Sequence, residues 1–282
     1  MHVCNHDSQI ENMKQIIYIL LAIIFMTGCN NDPKLKIRSK SANEIPQINY
    51  LLINHFPHST SSFTEGLLFH NNELFESTGS PEDLPQTKSV FGILNLQTGE
   101  IDVKSELNRD HYFGEGIVFL KNKIYQLTYK KQTCFVYDAK TFEKIEQHSY
   151  LNEEGWGLTT DGEFIIMSDG TNTLSYREPS SFEVIKTLRV SANNYAIDNL
   201  NELEYIKGYI YSIVLPTNTI IKIDPKTGHV VGKIDCTPLI EMAYLKNQNI
   251  YEMNGIAYDS ISDHIFVTGK MWPEIYEIKL SN

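Results

Sequence analysis

Basic residues are scarce in this 282-residue chain: 24 lysines and arginines stand against 35 acids, a formal charge of −11 at pH 7. A nucleic-acid binder needs a basic surface to displace phosphate counterions, so that class is excluded. Cysteine is scarce too, at four residues, which rules out a small fold stapled by disulfides. The nine histidines include no His-Glu-x-x-His and no paired metal spacing; His58 and most others are expected on the surface at strand ends and turns. Neither a phosphate-cradling glycine loop nor a Gly-x-Ser-x-Gly elbow occurs. Long apolar runs are missing as well. The stretch from Ile16 to Met26 falls short of the ~20 residues that cross a bilayer. Helical periodicity is almost absent from residue 47 onward. What is plentiful is aromatic: 16 tyrosines and 13 phenylalanines beside 16 glycines and 10 prolines, a balance suited to many short strands and turns.

The N-terminal region reads as an address. Met13-Lys14 precedes the apolar run, and Thr27-Gly28-Cys29 follows it, so a basic start and an apolar stretch lead to a small residue before a cleavage point. Residues 1–29 resemble a bacterial lipoprotein signal, which implies acylation of Cys29 and translation from Met13 in place of Met1. The expected location is a bacterial cell envelope, on the periplasmic side or in the outer membrane, with the membrane touched through the lipid alone. Residues 30–46 carry many charges and little apolar material, and are expected to form a flexible tether. The folded domain is expected over 47–282. Its two cysteines, Cys134 and Cys236, fall in separate strand patterns; buried free thiols are expected, although export would permit a bridge.

Within that domain one pattern returns five times: a small or acidic pair, an apolar strand, a polar turn, and a second strand. It begins at Phe63-Thr-Glu-Gly-Leu, Phe113-Gly-Glu-Gly-Ile, Glu154-Gly-Trp-Gly-Leu, Asn201-Glu-Leu-Glu and Asn254-Gly-Ile-Ala. Turns are expected at Asn71-Asn72, Lys121-Asn122, Asp161-Gly162 and Lys207-Gly208, and a further hairpin follows each of the first four copies. Four strands per unit, recurring about every 40–50 residues, is the arithmetic of a propeller blade. The reading is all-β, a five-bladed β-propeller. Its fifth unit ends after a third strand, Ile275 to Leu280, and an unpartnered strand at Ile48 to Asn54 would complete it and close the ring. An open two-sheet sandwich is the competing architecture.

The first residues of each innermost strand face one mouth of such a ring. Glu65, Glu115, Glu154, Asn201 or Glu202, and Asn254 are therefore expected around a single opening, with Gly66, Gly116, Gly155 and Gly255 letting the strands approach closely. An acid at a channel mouth is costly to desolvate, has a perturbed pKa, and is a candidate for acid–base work.

The segments Ser62-Phe-Thr-Glu-Gly-Leu, Tyr112-Phe-Gly-Glu-Gly-Ile, Glu154-Gly-Trp-Gly-Leu, Asp198-Asn-Leu-Asn-Glu-Leu-Glu, Asn254-Gly-Ile-Ala-Tyr and Val267-Thr-Gly-Lys-Met-Trp-Pro resemble, in order and spacing, the plant and bacterial glutaminyl-peptide cyclotransferases. That resemblance runs from about His55 to Leu280 and implies a five-bladed propeller that converts N-terminal glutamine of peptides and proteins to pyroglutamate, releasing ammonia. It implies Glu115 as the acid–base residue, Asn201 and Lys270 as polar groups that position and polarise the amide, and Glu65 at a place that is glutamine in some members. Phe63, Tyr129 and Trp156 are implied as pocket walls. Tyr129 replaces a frequent tryptophan by another ring, whereas Leu215 replaces a tryptophan outright and weakens the inferred grip. No cofactor is required by this chemistry, and a structural calcium ion in the channel is left open. The expected partners are glutamine-bearing N-termini, met by a monomer. Two other readings compete: a non-catalytic peptide-binding propeller, and a calcium-dependent propeller hydrolase of the lactonase kind.

Overall fold

Wherever the repeat occurs, alternating apolar residues and two-residue turns fold the chain into antiparallel strands. The structure, a computed structural model, describes residues 44–281. Strand β1 (Tyr50–Pro57) comes first and is taken up again below. The first blade comprises β2 (Phe63–His70), β3 (Glu73–Gly79), β4 (Val90–Leu94) and β5 (Ile101–Glu106). The second holds β6 (Gly114–Leu120), β7 (Lys123–Thr128), β8 (Thr133–Asp138) and β9 (Lys144–Ser149). The third, with shorter inner strands, holds β10 (Leu158–Thr160), β11 (Ile165–Met167), β12 (Thr173–Arg177) and β13 (Val184–Arg189). A small hairpin, β14 (Ser191–Ala192) with β15 (Tyr195–Ala196), leads to the fourth: β16 (Leu200–Ile206), β17 (Tyr209–Val214), β18 (Thr219–Ile223) and β19 (Val230–Asp235). Helix α1 (Thr237–Lys246) then precedes β20 (Met253–Asp259), β21 (His264–Gly269) and β22 (Glu274–Leu280). The helix, absent from the sequence reading, buries Leu239 and Ala243 in the apolar cluster between blades four and five.

Ring closure follows the expected route. Strand β1 pairs antiparallel with β22, Tyr50 opposite Leu280 and Pro57 opposite Glu274, and completes the fifth blade. The paired stretch lies slightly later than the expected Ile48 to Asn54, because Pro46 and Ile48 bond instead to Lys233 on the outer strand of blade four. Ile45 packs on the cluster between blades three and four, so the compact unit starts at Ile45 and not at 47. The rest of the expected tether, and Cys29, lie outside the described residues. Inner strands neighbour one another in the cycle β2, β6, β10, β16, β20 and back to β2. Five apolar clusters fill the spaces between successive blades, one at each junction. Stability is thus distributed around the wheel.

Turn chemistry repeats with the blades. Asn71-Asn72, Lys121-Asn122 and Lys207-Gly208 all take positive φ at both central residues, the geometry that suits a right-twisted hairpin. Further out, the chain turns over five residues in blades one to four. The fifth residue's N–H donates to the first one's carbonyl from Gly99 to Asn95, Phe142 to Asp138, Phe182 to Glu178 and Gly228 to Asp224. Cys134 and Cys236 are free and buried, at different blade junctions.

Candidate active site

Four of the five inner strands carry a β-bulge at their entrance, and each bulge falls on the hub residues. The register shifts lie between Thr64 and Gly66, Gly114 and Ile117, Leu200 and Leu203, and Met253 and Ile256. A bulge leaves a residue unpaired and re-aims its side chain. Glu65, Glu115 and Asn201 are thereby turned out of their ladders into one cavity of about 290 Å3, which is also lined by Phe63, Tyr129, Trp156, Leu215 and Lys270. Residues from all five blades converge there.

The third blade corrects the expected register. The Cβ-sized space beside Gly116 is closed by Trp156 O and Leu158 N, both at 2.7 Å, and that beside Gly157 by Asn201 O at 2.3 Å. Gly157, not Gly155, is therefore the hub glycine, and Trp156 takes the place that Glu65 and Glu115 hold in blades one and two. Gly155 lies against Tyr150. Glu154 consequently sits two residues out, where it accepts a hydrogen bond from Trp156 Nε1 at 2.9 Å and pairs with Lys130 at 3.7 Å. It steadies the tryptophan ring and does not line the cavity. In blade four, Asn201 faces the cavity while Glu202 turns into the channel, where its oxygens accept the main-chain N–H groups of Leu67 (3.2 Å) and Ile256 (2.9 Å). Glu202 thus ties three blades together. Asn254 lies behind the cavity and donates to Glu65 Oε2 at 2.8 Å.

The charges are arranged asymmetrically. Lys270 Nζ lies 3.1 Å from Glu65 Oε1 and 4.7 Å from the centre of the Phe63 ring. Glu65 is held on both oxygens, by Lys270 and Asn254. Burial nevertheless pushes its carboxyl up to about 7, against the opposing pull of Lys270. Burial, and then the neighbouring charge of Glu65, push Glu115 well above the usual carboxylate range. The two carboxyls raise each other, because like charges close together in a buried site disfavour double ionisation. The same acids hold Lys270 above its ordinary value despite burial. Asn201 Oδ1 is buried with no hydrogen-bond partner, an acceptor aimed where a ligand's N–H would fit.

Rings wall the cavity. Phe63 meets Phe113 edge-on at 6.1 Å, and Phe113 meets Tyr129 at 5.9 Å. Behind them, the N–H groups of Tyr129, Leu215 and Lys270 donate to the carbonyls of Phe113, Asn199 and Glu252, which makes these equivalent positions in blades two, four and five. Phe113 and Glu252 line the cavity yet were not singled out in the sequence. The repeat itself carried the signal. Both stand two residues before a hub residue, as Phe63 does.

His58 departs from the surface role expected of it. It is buried between blades one and five, donating from Nδ1 to Trp272 O (2.8 Å) and from Nε2 to Glu76 Oε1 (3.1 Å). With a carbonyl and a carboxylate as partners, both ring nitrogens must carry protons.

Among the described residues no group of three or more His, Cys, Asp or Glu side chains is set to hold a metal ion. Two of the hub carboxylates are already engaged: Glu202 by two N–H donors, and Glu65 by an ammonium and an amide.

Fold and cavity together define a class: a five-bladed β-propeller whose hub presents two buried carboxyls, an ammonium and an unpaired amide oxygen within aromatic walls. Comparison with known proteins narrows it. Residues 20–280 match the family described as glutamine cyclotransferase. A glutaminyl-peptide cyclotransferase of Arabidopsis thaliana is 37% identical over 232 residues, covering 81% of this chain and 70% of the relative. The crystal structure of a glutaminyl cyclase from Myxococcus xanthus superposes with a TM-score of 0.77 at 31% identity, over 84% of this chain and 99% of that one. The chain belongs to the glutamine cyclotransferase family.

Proposed function

We propose that this protein converts the N-terminal glutamine of peptides and proteins to pyroglutamate, with Glu115 as the proton carrier. The observation that carries the reading is the meeting of Glu115, Asn201 and Lys270 in one ring-walled cavity. The substrate's neutral α-amine attacks its own side-chain amide carbon, forming the C–N bond of a five-membered lactam. Glu115 takes a proton from that nitrogen and delivers one to the departing NH2, so ammonia leaves and the carboxylate is regenerated. An α-amine with a pKa near ~7.7–8.0 needs only a modest base. A carboxyl raised by burial is matched both to accepting its proton and to giving one up.

The remaining groups divide the work. Asn201 Oδ1 accepts from the substrate amide N–H, filling its empty acceptor position. Lys270, anchored by Glu65, polarises the amide oxygen as charge develops there. Phe63, Tyr129 and Trp156 hold the folded-back methylene stem, and Leu215 leaves one wall lower than a ring would. The reaction uses no metal or cofactor, so it persists in the presence of a chelator. We further propose that the enzyme is a monomeric lipoprotein of a bacterial envelope, acylated at Cys29; loss of acyl labelling in Cys29→Ser checks this. Incubation with glutamine-headed peptides tests the activity. Ammonia release together with a lactam product is expected, and neither should exceed background in Glu115→Gln.

A further inference from the structure

The position two residues before each hub residue is occupied by Phe63, Phe113, Glu154, Asn199 and Glu252 around the ring. In blades one and two it builds aromatic wall, and in blade three its carboxylate is engaged by Trp156 and Lys130. Glu252 differs. It lines the cavity, is exposed, and its carboxylate has no hydrogen bond or ion pair among the described residues. Its backbone is nonetheless fixed: Lys270 N donates to Glu252 O at 3.0 Å, Tyr251 N to Lys270 O at 2.9 Å, and Trp272 Nε1 to Tyr251 O at 3.0 Å. The Tyr251 ring meets Phe63 at 5.6 Å and is 41% exposed.

A free carboxylate and an open aromatic ring therefore stand on successive residues of one fixed segment, next to the lysine of the reacting site. Lys270 is neutralised by Glu65. Glu252 is the acid on this wall that no cation touches directly, Lys270 acting on it only at longer range, and a ring and a carboxylate on neighbouring residues are surfaces that an alkylammonium or guanidinium side chain fits. Taking the cyclotransferase reading as its basis, we propose that Tyr251 and Glu252 form the subsite for the residue following the glutamine, and that they select lysine or arginine there. The chain after the glutamine must leave through the mouth, where Glu252 is exposed and can be met by a long, flexible cationic side chain.

The test compares kcat/KM for three otherwise identical peptides beginning Gln-Lys, Gln-Ala and Gln-Glu. At low ionic strength the full-length enzyme is expected to favour Gln-Lys over Gln-Glu by about tenfold, the size of one exposed ion pair plus one cation–π contact. High salt and Glu252→Gln each narrow that ratio, Glu252→Lys inverts it, and Tyr251→Ala lowers the Gln-Lys value most. Equal values for the three peptides, or a ratio unchanged in Glu252→Gln, overturn the proposal. So does a KM that rises equally for all three in that variant, since Glu252 would then hold the α-amine common to them. Equilibrium binding of the same peptides to Glu115→Gln reads the subsite without turnover. Absence of ammonia from every peptide would refute the cyclotransferase reading alone, and the order of binding would still decide the subsite.

Discussion

Replacing Glu115 by glutamine removes the proton carrier and almost nothing else. The side chains are isosteric, the site is buried, and the backbone is held independently by Ser77 Oγ, which donates to Glu115 O at 2.6 Å. The wild-type carboxyl is pushed toward its protonated form by burial and by Glu65. An isosteric amide therefore adds no buried charge, and the change in thermal stability is expected to stay within about 1 kcal/mol. Catalysis is another matter. A positioned acid–base group contributes about 10²–10⁴-fold. The middle of that range applies here, because the substrate amine supplies its own lone pair while the departing NH2 cannot leave without a proton. Lys270 cannot substitute well, being tied to Glu65. A loss of about a thousandfold in kcat/KM follows, near 4 kcal/mol at 1.36 kcal/mol per decade. Coupled detection of ammonia from a glutamine-headed peptide measures it, with the melting temperature taken on the same sample. A variant that melts normally and keeps more than about a tenth of the wild-type kcat/KM would refute the assignment.

Three further outcomes are expected. Burial lowers the pKa of His58, but the neighbouring Glu76 outweighs it and holds the imidazole above its ordinary value, so the pair's stabilisation is complete below about 6.5 and is lost as pH rises through the folded-state value. Melting temperature across neutral pH should fall more steeply for wild type than for Glu76→Gln, and the difference isolates this pair from the hub acids, which titrate in both proteins. Leu215→Trp restores a ring to the cavity wall; at about 1 kcal/mol for an aromatic contact, KM should drop roughly fivefold with kcat little changed. Gly157→Ala places a methyl 2.3 Å from Asn201 O, so overpacking costs about 1–3 kcal/mol and shifts the unpaired amide, lowering both stability by calorimetry and kcat in the ammonia assay.

The architecture was legible because a propeller repeats itself. Five copies of one strand–turn–strand pattern, each with turn residues tolerant of positive φ, leave few other arrangements, and the missing fourth strand of the last blade pointed to Tyr50–Pro57. Blade three was misread by two residues because Glu154-Gly155 imitates the acid–glycine pair of Glu65-Gly66. Only the steric contact of Gly157 with Asn201 separates the two registers. Helix α1 escaped notice since its apolar residues, Leu239, Ile240, Met242, Ala243, Tyr244 and Leu245, spread around the helix and mark no single face. Burial of His58 was invisible for a different reason: its partners Glu76 and Trp272 are 18 and 214 positions away, and no local pattern joins them. Glu65, Glu115 and Asn201 were placed at the mouth by the repeat itself, Lys270 and the rings Phe63, Tyr129 and Trp156 by the family resemblance, whereas Phe113 and Glu252 needed the repeat to be read column by column.

Because β1 is the outer strand of a blade whose other three strands follow the four other blades in sequence, the ring cannot shut until β22 has been made. Lys270 belongs to that late blade and Glu115 to an early one, yet the proposed reaction needs them face to face. An unfinished or C-terminally clipped copy therefore carries its proton-handling acid on an unlatched sheet, opposite nothing. On the proposed mechanism, competence is acquired in the single step that latches β22 onto β1.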